Sequence, residues 1–167
     1  LSGASLTIQL VVISLFIGFC LAVGLAQLRL SSIPIFRFFA KSYVFYFRGT
    51  PLLVQIFLIY YGIGQFEAIR ESFLWIFFKE PYWCGILALT LNTCAYTSEI
   101  IRGGIQSVPY GQIESARSIG MSGILLYRRI ILPIALRQAL PAYGNEMILM
   151  VKASSLVSTI TLMEITG

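Results

Sequence analysis

The sequence has no histidine and no aspartate; all seven acidic residues are glutamate. Without histidine, zinc and haem sites built on imidazole are excluded, and so is Ser-His-Asp catalysis. Charge is scarce altogether. Only 11% of the 167 residues are charged, against about 25% in ordinary soluble domains. A soluble domain of this length needs more polar surface than that can supply. The 57% hydrophobic content and the abundant Phe, Tyr and Ile exclude disorder. Cys20, Cys84 and Cys94 are scattered through apolar stretches without C-x-x-C spacing and read as small packing residues. No G-x-x-x-x-G-K-[ST] segment is present, so any work done with ATP belongs to a partner and no cofactor or metal is assigned to this chain. What remains is an all-α integral membrane protein of one domain, with a mean hydropathy of +0.84.

Residue 1 is Leu, so a start Met is absent and the chain reads as trimmed. The first apolar segment lacks a basic leader and is not a signal peptide. A helix needs about 20 apolar residues to cross a hydrocarbon core of about 30 Å. Four segments meet that need, at residues 6–28, 43–66, 82–101 and 140–160. The second starts irregularly, at Gly49 and Pro51. Between the second and third spans, the run 73–78 is too short to cross and is rich in aromatics, as interfacial segments are. The stretch 102–138 is basic and amphipathic, and its apolar piece at 124–136 carries two Arg and Pro133, so it is expected to lie on the membrane surface.

The net charge of +5 does not point to nucleic acid, because the basic residues flank apolar segments. The connections at 29–48 and 102–138 are strongly basic, whereas 67–81 holds three Glu against two basic residues. The excess of Lys and Arg on cytoplasmic loops then sets the N-terminus outside, in the periplasm, and both basic connections in the cytoplasm.

The second basic connection contains Val108-Pro109-Tyr110-Gly111, a turn, followed by a helix over 112–119 with Gly120 as its stop. Glu114 sits near the helix N-terminus, where the dipole favours a carboxylate. Ala116 and Gly120, four apart, leave one face low in relief. Two readings stand: a helix that slots into a partner's groove, and a helix that rests on lipid headgroups.

Glu114-Ser115-Ala116-x-x-x-Gly120, nine residues, then Ile130-Ile131-Leu132-Pro133 resembles the E-A-A-x3-G-x9-I-x-L-P signature of binding-protein-dependent ABC importer permeases. Ser115 stands where the second Ala is usual, and it too is small. Phe47-Arg48-Gly49-Thr50-Pro51-Leu52-Leu53-Val54-Gln55 and Tyr96-Thr97-Ser98-Glu99-Ile100-Ile101-Arg102-Gly103-Gly104-Ile105 are similar to the polar-amino-acid branch. Leu140-Pro141-Ala142-Tyr143-Gly144-Asn145-Glu146 and Thr161-Leu162-Met163-Glu164-Ile165-Thr166-Gly167 resemble the M-type subunits of its histidine/lysine/arginine/ornithine and octopine/nopaline importers. The resemblance covers nearly the whole chain. It implies the type I ABC importer permease fold with five spans, about four of them present and the fifth expected after Gly167. It implies a bacterial inner-membrane location and, as partners, a second related permease subunit, two ATPase subunits that hold the ATP, and a periplasmic amino-acid-binding protein. It also makes the 114–120 segment the coupling helix, with Glu114, Ser115, Ala116, Arg117 and Gly120 at the ATPase contact.

For the substrate path, Asn92, Tyr96, Glu99 and Gly103 share one face of the third span. Asn145, Leu149, Lys152 and Thr159 have similar spacing on the fourth, with Ser155 nearby. Intramembrane polar groups usually face a bundle interior or a water-filled path. Asn92, Tyr96, Glu99, Asn145 and Ser155 are therefore the path candidates. The competing reading is internal pairing, of Glu99 with Arg102 and of Glu146 with Lys152 or an Arg on another helix. Many relatives carry Lys-Asp-[Ser/Thr] where this chain has Lys152-Ala153-Ser154, so no substrate contact by that acid is carried over. Arg48 reads as the anchor of a bend, pairing a carboxylate or a lipid phosphate. Pro141 and Gly144 loosen the last span, either as a hinge or as a static kink. Four or five helices cannot readily enclose a wet path, so a second permease subunit is expected. An importer permease for cationic amino acids or opines is the reading that results. The alternatives are a non-transporting scaffold subunit, which would lack the E-x-A-x3-G segment, and an ion-coupled carrier, which would show an inverted repeat.

Overall fold

The computed structural model describes residues 2–158 and 160, with side chains from residue 5 onward. Thr159, the 161–167 motif and any span after Gly167 lie outside the described residues. No strand occurs among the described residues, in keeping with an all-helical chain.

Helix α1 (Ser2–Leu30) is apolar on every side, as a helix surrounded by lipid and neighbouring helices must be. After a short turn, α2 (Pro34–Gly49) follows; its Pro sits in the first turn, where no ladder bond is lost. The chain breaks at Thr50 and resumes as α3 (Leu52–Phe57), which widens into a π turn at Leu58–Gly62. Pro51 causes the break. It has no N–H, and its ring drives Thr50 out of the helical region to φ −109°, ψ 143°. The segments on either side meet at 106°. The expected second span at 43–66 is therefore two helices, joined at the irregular point that Gly49 and Pro51 mark.

Two single-turn helices, α4 (Glu67–Arg70) and α5 (Trp75–Phe78), connect to α6 (Pro81–Gln106). Helix α7 (Tyr110–Ser118) comes next. Then α8 (Gly123–Leu126), a π turn at Tyr127–Ile131 and α9 (Leu132–Ala153) run on without a break into a 3₁₀ turn at Ser154–Val157. This corrects the expectation for 124–136. That piece is not a separate surface segment but the opening of the last long helix, which starts well before residue 140. Pro133 is tolerated because the π turn just ahead of it already shifts the ladder by one residue.

By length and composition, α1 over Ser5–Leu30 and α6 over Pro81–Gln106 can each cross a membrane, and the bent pair α2–α3 makes a third, broken span. Helix α9 carries Arg137, Glu146 and Lys152 and falls short of the same test.

Helix α6 is the centre of the fold, packed by α1 on one side and α9 on another, with α2 and α3 also against it. Its stripe of small residues allows the close approach. A Cβ on Gly104 would meet the Ala135 carbonyl oxygen of α9 at 2.7 Å, and one on Gly18 of α1 would collide with Thr93. Where helices sit in lipid, such backbone-to-backbone contact supplies the association that water would otherwise drive. The apolar core gathers Leu10, Leu15, Ile56, Ile86, Leu89 and Met150 from α1, α3, α6 and α9.

Candidate functional site

Two regions carry the polar chemistry: a cleft beside the α2–α3 break and the short arm α7. In the cleft, Gln55 is 2% exposed and sits one turn after Pro51. Its amide donates to the carbonyl oxygens of Phe47 (2.9 Å) and Thr50 (3.1 Å) and to Thr50 Oγ1 (2.7 Å). Thr50 Oγ1 in turn donates to the Tyr46 carbonyl at 2.8 Å. The Tyr46 carbonyl also accepts the Thr50 N–H at 3.1 Å, whereas the Phe47 carbonyl, facing Pro51 with no N–H, is supplied by the Gln55 amide instead. From α6, Asn92 Nδ2 donates to Gln55 Oε1 at 3.1 Å and reaches the Phe47 carbonyl at 3.5 Å. Tyr43 donates to the Leu91 carbonyl at 2.7 Å. The bend is thus fastened to the central helix.

Below Asn92 on the same face, Arg48 lies over the Tyr96 ring, 5.3 Å from its centroid, and its Nη1 is 4.0 Å from Glu99. Glu99 is the hub of the cationic end. Arg29 of α1 and Arg102 of α6 each contact it at 2.6 Å, and the side chains of Glu99 and Arg29 are 13% exposed. The internal pairing of Glu99 with Arg102 is present, and Arg29 adds to it from across the bundle. Oε2 accepts two hydrogen bonds from Arg102 and Oε1 lies in the ion pair with Arg29, so the carboxylate's charge is already matched from within the chain.

Two neighbouring cavities border this line of residues. One, about 480 Å³, is lined by Arg48, Thr50, Asn92, Tyr96, Glu146 and apolar residues of α9. The other, about 700 Å³, is lined by Arg29, Lys41, Arg48, Tyr96 and Glu99 among others. Arg48, Gly49 and Tyr96 border both. Both cavities are within the size range of small-molecule sites.

The path candidates divide accordingly. Asn92 and Tyr96 reach the smaller cavity, and Glu99 only the larger. Asn145 and Ser155 are exposed and line neither; Ser155 Oγ donates to the Lys152 carbonyl at 2.7 Å. One residue is about 100° of helix, so the side chain turned inward is Glu146, not Asn145. Glu146 is buried and accepts from Thr93 Oγ1 at 3.4 Å; neither Lys152 nor an Arg forms an ion pair with it among the described residues. Gln55 and the cavity-bridging place of Arg48 escaped the sequence reading, and Glu146, expected to pair Lys152 or an Arg, instead borders the cavity. An amide one turn beyond a proline break, and a glutamate in a span with no cation one turn away on its own helix, are the signals that point to Gln55 and Glu146. Pro141 lies inside α9 without ending it, and Gly144 has open space where a Cβ would go, so packing does not demand glycine there.

The arm is built differently. Helix α7 begins after Pro109 and ends in a Schellman motif: Gly120 N–H donates to the Arg117 carbonyl at 2.9 Å and Met121 N–H to the Ala116 carbonyl at 3.0 Å. The motif needs a left-handed residue, and Gly120 supplies it at φ +88°. Ala116 is buried, while Glu114, Ser115 and Arg117 are exposed. The serine hydroxyls bond only within the arm, Ser115 to the Gly111 carbonyl and Ser118 to the Ser115 carbonyl, both at 2.7 Å. Tyr110 and Ile119 stand 70% and 74% exposed. A shallow hollow of about 630 Å³ runs along the helix between Gly111, Ala116, Ile119 and Ile130.

Comparison with known proteins completes the description. Residues 6–166 match the family described as "Binding-protein-dependent transport system inner membrane component". The octopine transport system permease protein OccM of Rhizobium radiobacter is 57% identical over the whole chain, which spans 68% of that protein. The nopaline transport system permease protein NocM of Agrobacterium fabrum is 58% identical over the whole chain, spanning 70% of it. The histidine/lysine/arginine/ornithine transport system permease protein HisM of Escherichia coli K12 is 48% identical over 96% of the chain and 68% of its own length. A crystal structure of an amino acid ABC transporter with histidines superposes with a TM-score of 0.81 at 41% identity, over 93% of this chain and 68% of that one.

Proposed function

The chain belongs to the family of binding-protein-dependent transport system inner membrane components and has the all-helical type I ABC importer permease fold, and from that premise we propose that it is the permease subunit of an inner-membrane importer for cationic amino acids or opines. Its energy comes from ATP hydrolysed in separate ATPase subunits, and a periplasmic binding protein delivers the solute. Helix α7 is the contact through which the ATPase drives the spans. Glu114, Ser115, Ala116, Arg117 and Gly120 form that contact, and Pro141 and Gly144 ease the flexing of α9. The N-terminus lies in the periplasm, with α7 and the α1–α2 turn in the cytoplasm, as the distribution of Lys and Arg favours.

The observation that carries the reading is the state of α7. It is a helix closed by a Schellman C-cap whose charged side chains make no bond to another element among the described residues, so they are available to a partner. The smaller cavity supports the solute class. Arg48 and Glu146 border it from opposite signs of charge, with Asn92 and Tyr96 between them as hydrogen-bonding groups. That set complements the carboxylate and ammonium groups of an amino acid. No α1 residue is among the described residues lining it, and a second permease subunit completes the path.

The test is cross-linking in the assembled transporter. Ser115→Cys, in a background with the native cysteines replaced, is expected to link to the ATPase subunit from the cytoplasmic side and to do so at a rate that changes with ATP. Labelling of that cysteine from the periplasm, or no ATPase adduct in either nucleotide state, would overturn the assignment.

A further inference from the structure

One cluster of charges is left over by the transport reading. Arg29 at the end of α1, Arg37 and Lys41 on α2, and Arg102 and Gln106 on α6 surround a cavity of about 280 Å³. Arg37 and Lys41 are one turn apart and share a face of α2. Four cations therefore converge from three helices, and the carboxylate within their reach is Glu99, already held between Arg29 and Arg102. Arg37 and Lys41 have no ion pair among the described residues. Gln106 is itself bound to Arg102, its Oε1 accepting from Nη1 at 2.6 Å. Like charges repel one another, and these four cations share one carboxylate, Glu99, so a further anion there would be stabilised.

Its depth narrows what that anion is. The apolar run Ser5–Leu30 has 26 residues, about 39 Å of helix against a hydrocarbon core of about 30 Å. Arg29, next to its last residue, therefore stands at headgroup level. The aromatic rings of Phe36, Phe38 and Phe39 flank Arg37 and are 46%, 64% and 64% exposed, an arrangement suited to the glycerol and upper acyl region of a lipid. Guanidinium forks and an ammonium around a small cavity match phosphate oxygens better than a single carboxylate.

We propose that Arg29, Arg37, Lys41 and Arg102 form a binding site for a phosphate group, that of an anionic phospholipid of the inner leaflet. The bound phosphate neutralises the cations that Glu99 cannot and so clamps the α1–α2 turn against α6. The inner-leaflet placement rests on the orientation proposed above, but phosphate binding itself does not.

The experiment uses the purified transporter complex in detergent, with lipid retention read by native mass spectrometry. Phosphatidylglycerol is expected to be retained well above phosphatidylcholine. Arg37→Ala with Lys41→Ala is expected to weaken phosphatidylglycerol retention on the order of tenfold or more, since each basic residue near an anionic headgroup adds substantially to binding. The charge-conserving pair Arg37→Lys with Lys41→Arg is expected to retain it. Release of the lipid by millimolar inorganic phosphate in the wild type, and not in the alanine pair, would support the phosphate site with a free anion as a second source. Equal retention of the two lipids, or unchanged retention in the alanine pair, would overturn the proposal. So would loss of the ATPase subunits from the alanine pair with lipid retention intact, because the cluster would then be a protein contact. Retention is measured without regard to sidedness, so a wrong orientation is exposed by the Ser115→Cys labelling and not by this result.

Discussion

At the α2–α3 break, polar groups are used up by one another; on α7 they are left over. Gln55 alone joins three acceptors near the bend and receives Asn92, and Glu99 binds arginines from two helices. On α7 the side-chain bonds stay within one turn, and a single residue, Ala116, is buried. The first region spends its polar groups on internal cohesion, whereas those of α7 are available to the partner proposed for it. Substitutions in the first should act through the fold. Those in the second should act through coupling.

The largest separation is expected at the glutamates. Glu99→Ala leaves Arg29, mostly buried, beside Arg102 with no carboxylate, and breaking such a pair costs about 3 kcal/mol. Glu114→Ala removes an exposed side chain and should stay within about 0.5 kcal/mol. Thermal unfolding of the purified complex measures both. Equal shifts would erase the distinction between the regions.

Gln55→Ala comes next. It leaves the Asn92 amide and the Phe47 carbonyl only their long contact with each other, 3.5 Å, and the Thr50 carbonyl short of a donor, at about 2 kcal/mol. Because the loss sits at the bend, amide exchange over 46–50 should accelerate more than exchange in α1. Uniform acceleration would mean that Gln55 supports the fold generally and does not fasten the break.

Much of this contrast was legible in the sequence, and the part that was not has a physical cause. The long apolar runs, the break at Pro51, the α7 helix and its Gly120 stop follow from local rules of helix length, proline geometry and capping. Those rules need only neighbours in sequence. What stayed hidden depends on rotation about a helix axis. Asn145 and Glu146 are adjacent, and only the packing of α9 on α6 decides which one meets Thr93. Arg29 lies 70 positions from Glu99, and nothing in the spacing announces their contact. The opening of α9 was missed for another reason. Arg128, Arg129 and Pro133 read as surface and stop signals, yet a π turn carries the helix through them.

A smaller effect on stability than at Glu99 or Gln55 is expected at Gly120, and it sharpens the comparison most. A Cβ there meets no atom within 4 Å, so packing imposes nothing. The demand comes from φ +88° alone. Gly120→Ala should cost about 1 kcal/mol, confined to the end of α7, because alanine resists the left-handed region. Gly120→Asn should cost less, since asparagine enters that region more readily. The fold, resting on α6 and its neighbours, should not register either change in thermal unfolding. If α7 is the ATPase contact proposed above, coupling should register both in that order, because the two Schellman bonds fix the backbone at Ile119 and Met121. ATP-driven uptake in vesicles, divided by ATP hydrolysed, is the measurement. If alanine and asparagine lowered it equally, the backbone of the stop would not be what transmits the force, and the side-chain face of α7 would have to carry the coupling by itself.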